Sequence, residues 1–213
     1  MQRAVLTLVR TAPHLNAGEH CRSDMIDLLS GICNQERSIS LNIFLAIEIA
    51  REGREGRKLG TLFVVADEKN TLQANRSFIL DPLWNHPETI RHVEHPDLRE
   101  TVKELAQLDG AFIVSDDGTF LSACRYIDSS SQDVRLPLGL GSRHMAAASI
   151  TSTTKAVAVV VSESSIVRVF EKGVIIAEIL PEMWLLHKYS LHMPGQYFEK
   201  SRTQCRSLAN RVG

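Results

Sequence analysis

Two runs constrain the fold most: Gly60 to Ala66 (Gly-Thr-Leu-Phe-Val-Val-Ala) and Ala156 to Ser162 (Ala-Val-Ala-Val-Val-Val-Ser). Both have strand length and are rich in β-branched residues, and neither alternates apolar with polar. Each therefore predicts a strand covered on both faces, as in the centre of a sheet sandwiched between helices. A chain of 213 residues with 44% apolar content can bury the core such a sheet needs within one domain of ordinary size.

Helical spacing flanks the first run. Met25, Leu28, Leu29 and Ile32 recur on one face after Ser23, a candidate N-cap with Asp24 in the first turn. After Ser40, Leu41, Ile43, Phe44, Leu45, Ile47 and Ile49 are apolar almost all round, which predicts a helix enclosed by other elements. The glycines and charges from Arg51 to Lys58 stop it. From Asp67 to Pro96 the pattern turns polar, with Pro82, Pro87 and Pro96, and predicts a long excursion with little regular structure.

Helical spacing returns through Leu98, Val102, Leu105 and Leu108, with Asp97 as expected cap and Glu100 three residues on. Asp109-Gly110 then turns the chain into a strand from Ala111 to Ser115. Asp116-Asp117-Gly118 supplies hairpin chemistry, and Thr119 to Ile127 is the expected returning strand. The stretch Arg135 to Gly141 is irregular, and Ser142 is placed to cap an Ala-rich helix reaching about Thr153. Beyond the second apolar run, Ile166 to Glu171 and Val174 to Ile179 form a hairpin about Lys172-Gly173.

The expected fold is α/β, a mixed twisted sheet flanked by helices. Its parts are a helical N-terminal region over 1–56, a main domain over 57–180 and a helical extension over 181–213. In that extension Phe198, Cys205, Leu208 and Val212 share one side, and Lys200, Arg202, Arg206 and Arg211 lie elsewhere.

Composition narrows the functional classes. A formal net charge of -1 argues against general nucleic-acid binding, so any anion site must be local. Cys21, Cys33, Cys124 and Cys205 form no C-x-x-C pair and signal neither a zinc site nor a disulfide framework. His86, His92 and His95 lie in a polar, proline-flanked segment that reads as loop surface. No apolar run is long enough to cross a bilayer, and Met1-Gln2-Arg3 lacks a following signal-peptide core, so the expected location is the cytoplasm, with no membrane association.

Two short clusters carry the candidate chemistry. Asp109, at the opening of an apolar strand, can ligate a hard divalent cation such as Mg²⁺ or Mn²⁺ or accept a proton from a hydroxyl, and Gly110 lets substrate approach the backbone. Asp-Gly also occurs at ordinary turns. In Gly141-Ser142-Arg143-His144, a helix start offers backbone amides, a hydroxyl, a planar guanidinium and an imidazole to phosphate oxygens. A capped helix carrying a surface Arg and His is the plain alternative. Ser162-Glu163, ending a buried strand, adds a hydroxyl and a second carboxylate, or is simply a turn.

Taken together, Glu104-Leu105-Ala106-Gln107-Leu108-Asp109-Gly110-Ala111, Leu140-Gly141-Ser142-Arg143-His144 with its Ala-rich helix, and Val159-Val160-Val161-Ser162-Glu163 resemble the diadenylate cyclase domain. That family is typified by D-G-A, G-T-R-H-R and an apolar strand ending in Ser-Glu; the resemblance covers roughly Leu59 to Ile179. It implies condensation of two ATP into cyclic di-AMP with release of two pyrophosphates, across a homodimer or larger homo-oligomer. It also implies catalytic roles for Asp109, Arg143 and His144, and a Mg²⁺ or Mn²⁺ ion at Asp109 and Glu163. Substrate contacts would come from Gly110, Ala111, Gly141, Ser142, Ser162 and Glu163, with Tyr126 and Ile127 bordering adenine.

Two positions depart from the pattern. Ser142 replaces threonine and keeps the hydroxyl. Met145 replaces the second arginine and loses a charge, which makes a catalytically weakened nucleotide-binding sensor the alternative function.

Overall fold

A computed structural model describes residues 37–128 and 136–182. The expected helix from Ser23, Arg135 at the start of the irregular stretch, and the C-terminal extension from residue 183 lie outside them. Elements run in the order α1 (Arg37–Glu52), β1 (Thr61–Val65), α2 (Glu68–Gln73), β2 (Asn75–Ser77), a 3-10 turn (Glu88–Ile90), α3 (Pro96–Leu105), β3 (Ala111–Val114), β4 (Phe120–Ile127), α4 (Ser142–Thr153), β5 (Val157–Val161), β6 (Val167–Glu171) and β7 (Val174–Ile179).

The strands make one mixed sheet in the order β2-β4-β3-β1-β5-β6-β7. β1 runs parallel to β3, Phe63 beside Phe112, and antiparallel to β5, Phe63 beside Val159. The two apolar runs thus occupy the middle of the sheet, and every residue of β1 and β5 is buried. Period-two geometry sends their side chains to opposite faces. Phe63 and Val65 join α1, Leu98 and Val102 on one side; Leu62 and Val64 join Ala147, Ala148 and Ile150 of α4 on the other. Because each face has its own helical cover, neither strand alternates in polarity.

On the first face Phe63 stacks on Phe112 with ring centroids 5.2 Å apart, and Phe120 meets both rings edge-on at 6.1 and 5.8 Å. α1 starts at Arg37, three residues before Ser40, which is itself buried within the helix. Its apolar circumference is explained by enclosure: the sheet lies on one side, and α3 is tied to it by Lys103 Nζ donating to Glu52 at 2.9 Å and by the Arg99–Glu48 ion pair. On the second face alanines let α4 sit close to the sheet.

Three local expectations are corrected. The segment from Asp67 to Pro96 carries α2, β2 and a 3-10 turn, and it is strapped along β4. Asp81 accepts from Ser122 Oγ and, at 3.1 Å, from the Ala123 amide, while Arg91 Nη1 donates to the Phe120 carbonyl at 2.6 Å. Its polarity reflects a three-residue edge strand and a short surface helix. α3 is capped by His95, not Asp97, and the cap makes no side-chain hydrogen bond; Pro96 instead occupies a position where the missing N–H is harmless. α4 is capped by Gly141, not Ser142, whose residue is already helical; the Gly141 carbonyl accepts from the amides of His144 and Met145 at 3.1 and 3.2 Å.

Candidate active site

Strand directions decide which residues meet. β1 and β3 are parallel, so Gly60 and Asp109-Gly110, just before them, lie at the same end of the sheet. β5 is antiparallel to β1 and β4 to β3, so Ser162-Glu163 and Tyr126-Ile127, at or beyond their C-terminal ends, arrive at that end too.

The N-terminus of α4 delivers Arg143 there. Its Nη2 lies 3.5 Å from Asp109 Oδ1, and its Nη1 lies 3.4 Å from Glu163 Oε1. One guanidinium therefore spans two carboxylates that are remote in sequence. The carboxylates are 92% and 75% exposed and the guanidinium 33%, so the cluster opens to solvent and to any incoming ligand. In so exposed a setting these pairs contribute little to stability.

Two glycines shape the cluster. Gly110 adopts a φ of +105°, and a Cβ there would lie 2.7–2.8 Å from backbone atoms of Cys124 and Arg125. Only glycine suits this turn, where β3 and β4 shift register and Cys124 itself takes a positive φ of 53°. Asp109 consequently sits one residue before the point where the chain lies against the β4 backbone. Gly60 is the second: a Cβ on it would lie 2.9 Å from Arg143 Nη1 and 3.3 Å from Glu163 Cγ. Sequence reasoning treated Gly60 only as a strand start, because a contact with residues about 80 and 100 positions away leaves no local pattern.

The remaining candidates fall into different environments. Gly141 and Ser142 are exposed at the start of α4, with open space around the Gly141 Cα, and the first amides of a helix have no intrahelical acceptor. Ala111 and Ile127 are buried in the core beneath α4. Tyr126 is 40% exposed, with the Arg76 guanidinium 4.5 Å from its ring centroid and Phe78 edge-on at 6.0 Å. The Ser162 hydroxyl is engaged within its own turn, meeting Ser164 Oγ at 2.7 Å and donating to the Ile166 carbonyl at 3.1 Å. Met145 is half-buried in the first turn of α4.

His144 is buried and turned toward β6, where its Nε2 lies 3.1 Å from Arg168 Nη1, and Arg168 Nε donates to Glu178 at 2.7 Å. An arginine can only donate, so Nε2 is the unprotonated acceptor. Burial, followed by the positive charges of Arg168 and Arg143, pulls the imidazole pKa down to about 4 against a weaker pull from Glu178. His144 is thus a neutral acceptor at neutral pH, packed against Phe170 with ring centroids 6.2 Å apart. Arg168 was not anticipated. Its only signal is a charge between the apolar Val167 and Val169, which a half-exposed strand explains equally well.

Asp109 and Glu163 suit a hard divalent ion in one specific manner. No cluster of three or more His, Cys, Asp or Glu exists among the described residues, so they do not form an all-protein cage. Two exposed carboxylates beside an arginine match the mode in which a Mg²⁺-like ion is held by one or two carboxylates and completed by substrate phosphates.

Two curated proteins resemble this chain over most of its length. The diadenylate cyclase of Methanocaldococcus jannaschii is 44% identical over 153 residues, which is 71% of this chain and 48% of that protein. The diadenylate cyclase of Haloferax volcanii is 37% identical over 168 residues, or 78% of this chain and 61% of that one. The chain therefore spans about half to three-fifths of the length of these curated relatives. Among solved structures, DacA from Staphylococcus aureus shares 20% identity at a TM-score of 0.43, covering 73% of this chain and 97% of that one. Among the described residues no helix is long and apolar enough to cross a membrane. The model of the family described as DisA bacterial checkpoint controller nucleotide-binding matches residues 48–175, more than half of the chain, and the chain belongs to that diadenylate cyclase (DAC) family.

Proposed function

We propose that this chain is a diadenylate cyclase, condensing two ATP molecules into cyclic di-AMP and two pyrophosphates. The observation that carries the proposal is the Asp109–Arg143–Glu163 cluster at the sheet end, within a chain of this family. In each half-reaction the ribose 3′-oxygen of one nucleotide bonds to the α-phosphorus of the other. The bond from that phosphorus to the bridging oxygen breaks, and pyrophosphate leaves with its electrons. The 3′-hydroxyl proton passes to the Asp109 carboxylate or to water.

The chemistry asks mainly for positioning and charge neutralisation. Arg143 exchanges its carboxylate partners for phosphate oxygens. The Ser142 hydroxyl and the first amides of α4 bind the same phosphates. Asp109 and Glu163 would hold Mg²⁺ or Mn²⁺, which lowers the charge repulsion between nucleophile and triphosphate. His144 supports the start of α4 through Arg168 rather than meeting substrate directly. Tyr126, with Arg76 and Phe78 around it, offers an aromatic surface to adenine. One domain has one such cluster and the product joins two nucleotides through two equivalent bonds, so two copies must face each other.

Incubating the purified chain with ATP and Mg²⁺ or Mn²⁺ and weighing the products tests this reading. A folded dimer that releases no cyclic dinucleotide and no pyrophosphate overturns it. Met145 supports a second reading, a module that binds nucleotide without turnover, since an apolar side chain stands where a second arginine is expected. A charged hydrogen bond is worth about 1.5–3 kcal/mol, so Met145→Arg should raise turnover at least tenfold if that contact is what is missing. Equal product formation by both forms removes the support for this second reading.

A further inference from the structure

We infer that Gly60 is a positioning residue for Arg143, setting how deeply the guanidinium sits between Asp109 and Glu163 and therefore its reach toward phosphate. The inference rests on the functional reading above. Gly60 is buried immediately before β1, and the guanidinium lies over its Cα: a Cβ there would meet Arg143 Nη1 at 2.9 Å, Arg143 Cζ at 3.3 Å and Glu163 Cγ at 3.3 Å. Those atoms belong to long side chains at the sheet end, not to the core. Gly60, unlike Gly110, does not have a positive φ, so alanine fits its backbone. The need for glycine at this position therefore comes from the site and not from the fold. With a methyl group there, the guanidinium must rise or swing aside, and Glu163 must move with it. Arg143 would then lose the seat from which it bridges both carboxylates, while the sheet beneath remains intact.

The test compares the full chain with its Gly60→Ala, Arg143→Met and doubly substituted variants, measuring binding of inorganic tripolyphosphate and of adenosine in the presence of Mg²⁺. A displaced charge-assisted contact predicts roughly tenfold weaker tripolyphosphate binding for Gly60→Ala. Adenosine binding should be unchanged, and Gly60→Ala should have no further effect in the Arg143→Met background. Thermal unfolding of all four forms accompanies the binding data. If Gly60→Ala lowers Tm in the parent but not beside Arg143→Met, the clash is with Arg143 and the inference stands. An equal drop in both backgrounds assigns Gly60 to the fold and overturns it. Parent and Gly60→Ala binding tripolyphosphate equally well also overturns it while sparing the functional reading. A parent chain that binds neither probe overturns both.

Discussion

Acidification should destabilise this protein through His144, by an amount that follows from its surroundings. The unfolded imidazole takes a proton near pH 6.5, whereas burial and the guanidinium of Arg168, 3.1 Å from Nε2, hold the folded one down to about 4. Between those values the unfolded chain binds a proton that the folded protein refuses. Stability contributed by this group is therefore complete above 6.5, falls as pH drops through the interval, and levels off below about 4. At about 1.4 kcal/mol for each tenfold change in proton affinity, the loss is on the order of 3 kcal/mol, a large part of a typical domain's stability.

Urea unfolding of the parent and of His144→Gln across this range measures the loss. Glutamine keeps an amide oxygen for Arg168 but does not titrate. Glu52 and Asp117 also have lowered pKa values, so both proteins lose stability in acid from those carboxylates, and the difference between the two curves isolates the histidine. The parent's advantage, whatever its size at neutral pH, should shrink by about 3 kcal/mol on the way to pH 4. Parallel curves would refute the reasoning, because they would mean that His144 is protonated as easily folded as unfolded and does not accept from Arg168.

Asp109→Asn should abolish cyclic dinucleotide formation without changing thermal stability, since the side chain is 92% exposed; retained turnover by mass analysis removes the role assigned to this carboxylate. Gly110→Ala should destabilise the fold by about 2–4 kcal/mol, because it forces a methyl group into the β4 backbone at a positive φ, and equilibrium unfolding unchanged from the parent would contradict that geometry. Asp81→Ala removes acceptors for Ser122, Ala123 and Leu83 and should cost about 1–3 kcal/mol while opening the segment near Trp84 to proteases. Limited proteolysis at the parent's rate would show that the strap does not depend on Asp81.

Much of the sheet was legible because its strongest signals are local. β5 has no polar position and β1 only the buried Thr61, since both faces of each strand are covered, and Asp116-Asp117-Gly118 marks its hairpin by turn chemistry alone. The segment after Asp67 was misread for the opposite reason. α2 has six residues and β2 three, each too short for a period to emerge; β2 is held by pairing with β4 about fifty positions away, and α2 packs against β2 and β3. Cap assignment failed where proline and glycine backbone geometry took the place of side-chain capping, at His95-Pro96 and at Gly141. Asp109, Arg143 and Glu163 could be named from their motifs. The ring direction of His144 could not, since a strand still to come, β6, provides its partner.

From sequence alone come the covered mixed sheet, the helix with Arg143 in its first turn, and the chemical character of a carboxylate–guanidinium site, because burial periodicity and side-chain chemistry are properties of neighbouring residues. Tertiary structure alone decides that these groups meet. The parallel pairing of β1 with β3 and the antiparallel pairing of β1 with β5 bring Gly60, Asp109 and Glu163 to one end of the sheet beneath Arg143. Strand direction is set by which distant segments pair, and that depends on packing the whole core rather than on any short stretch of the chain.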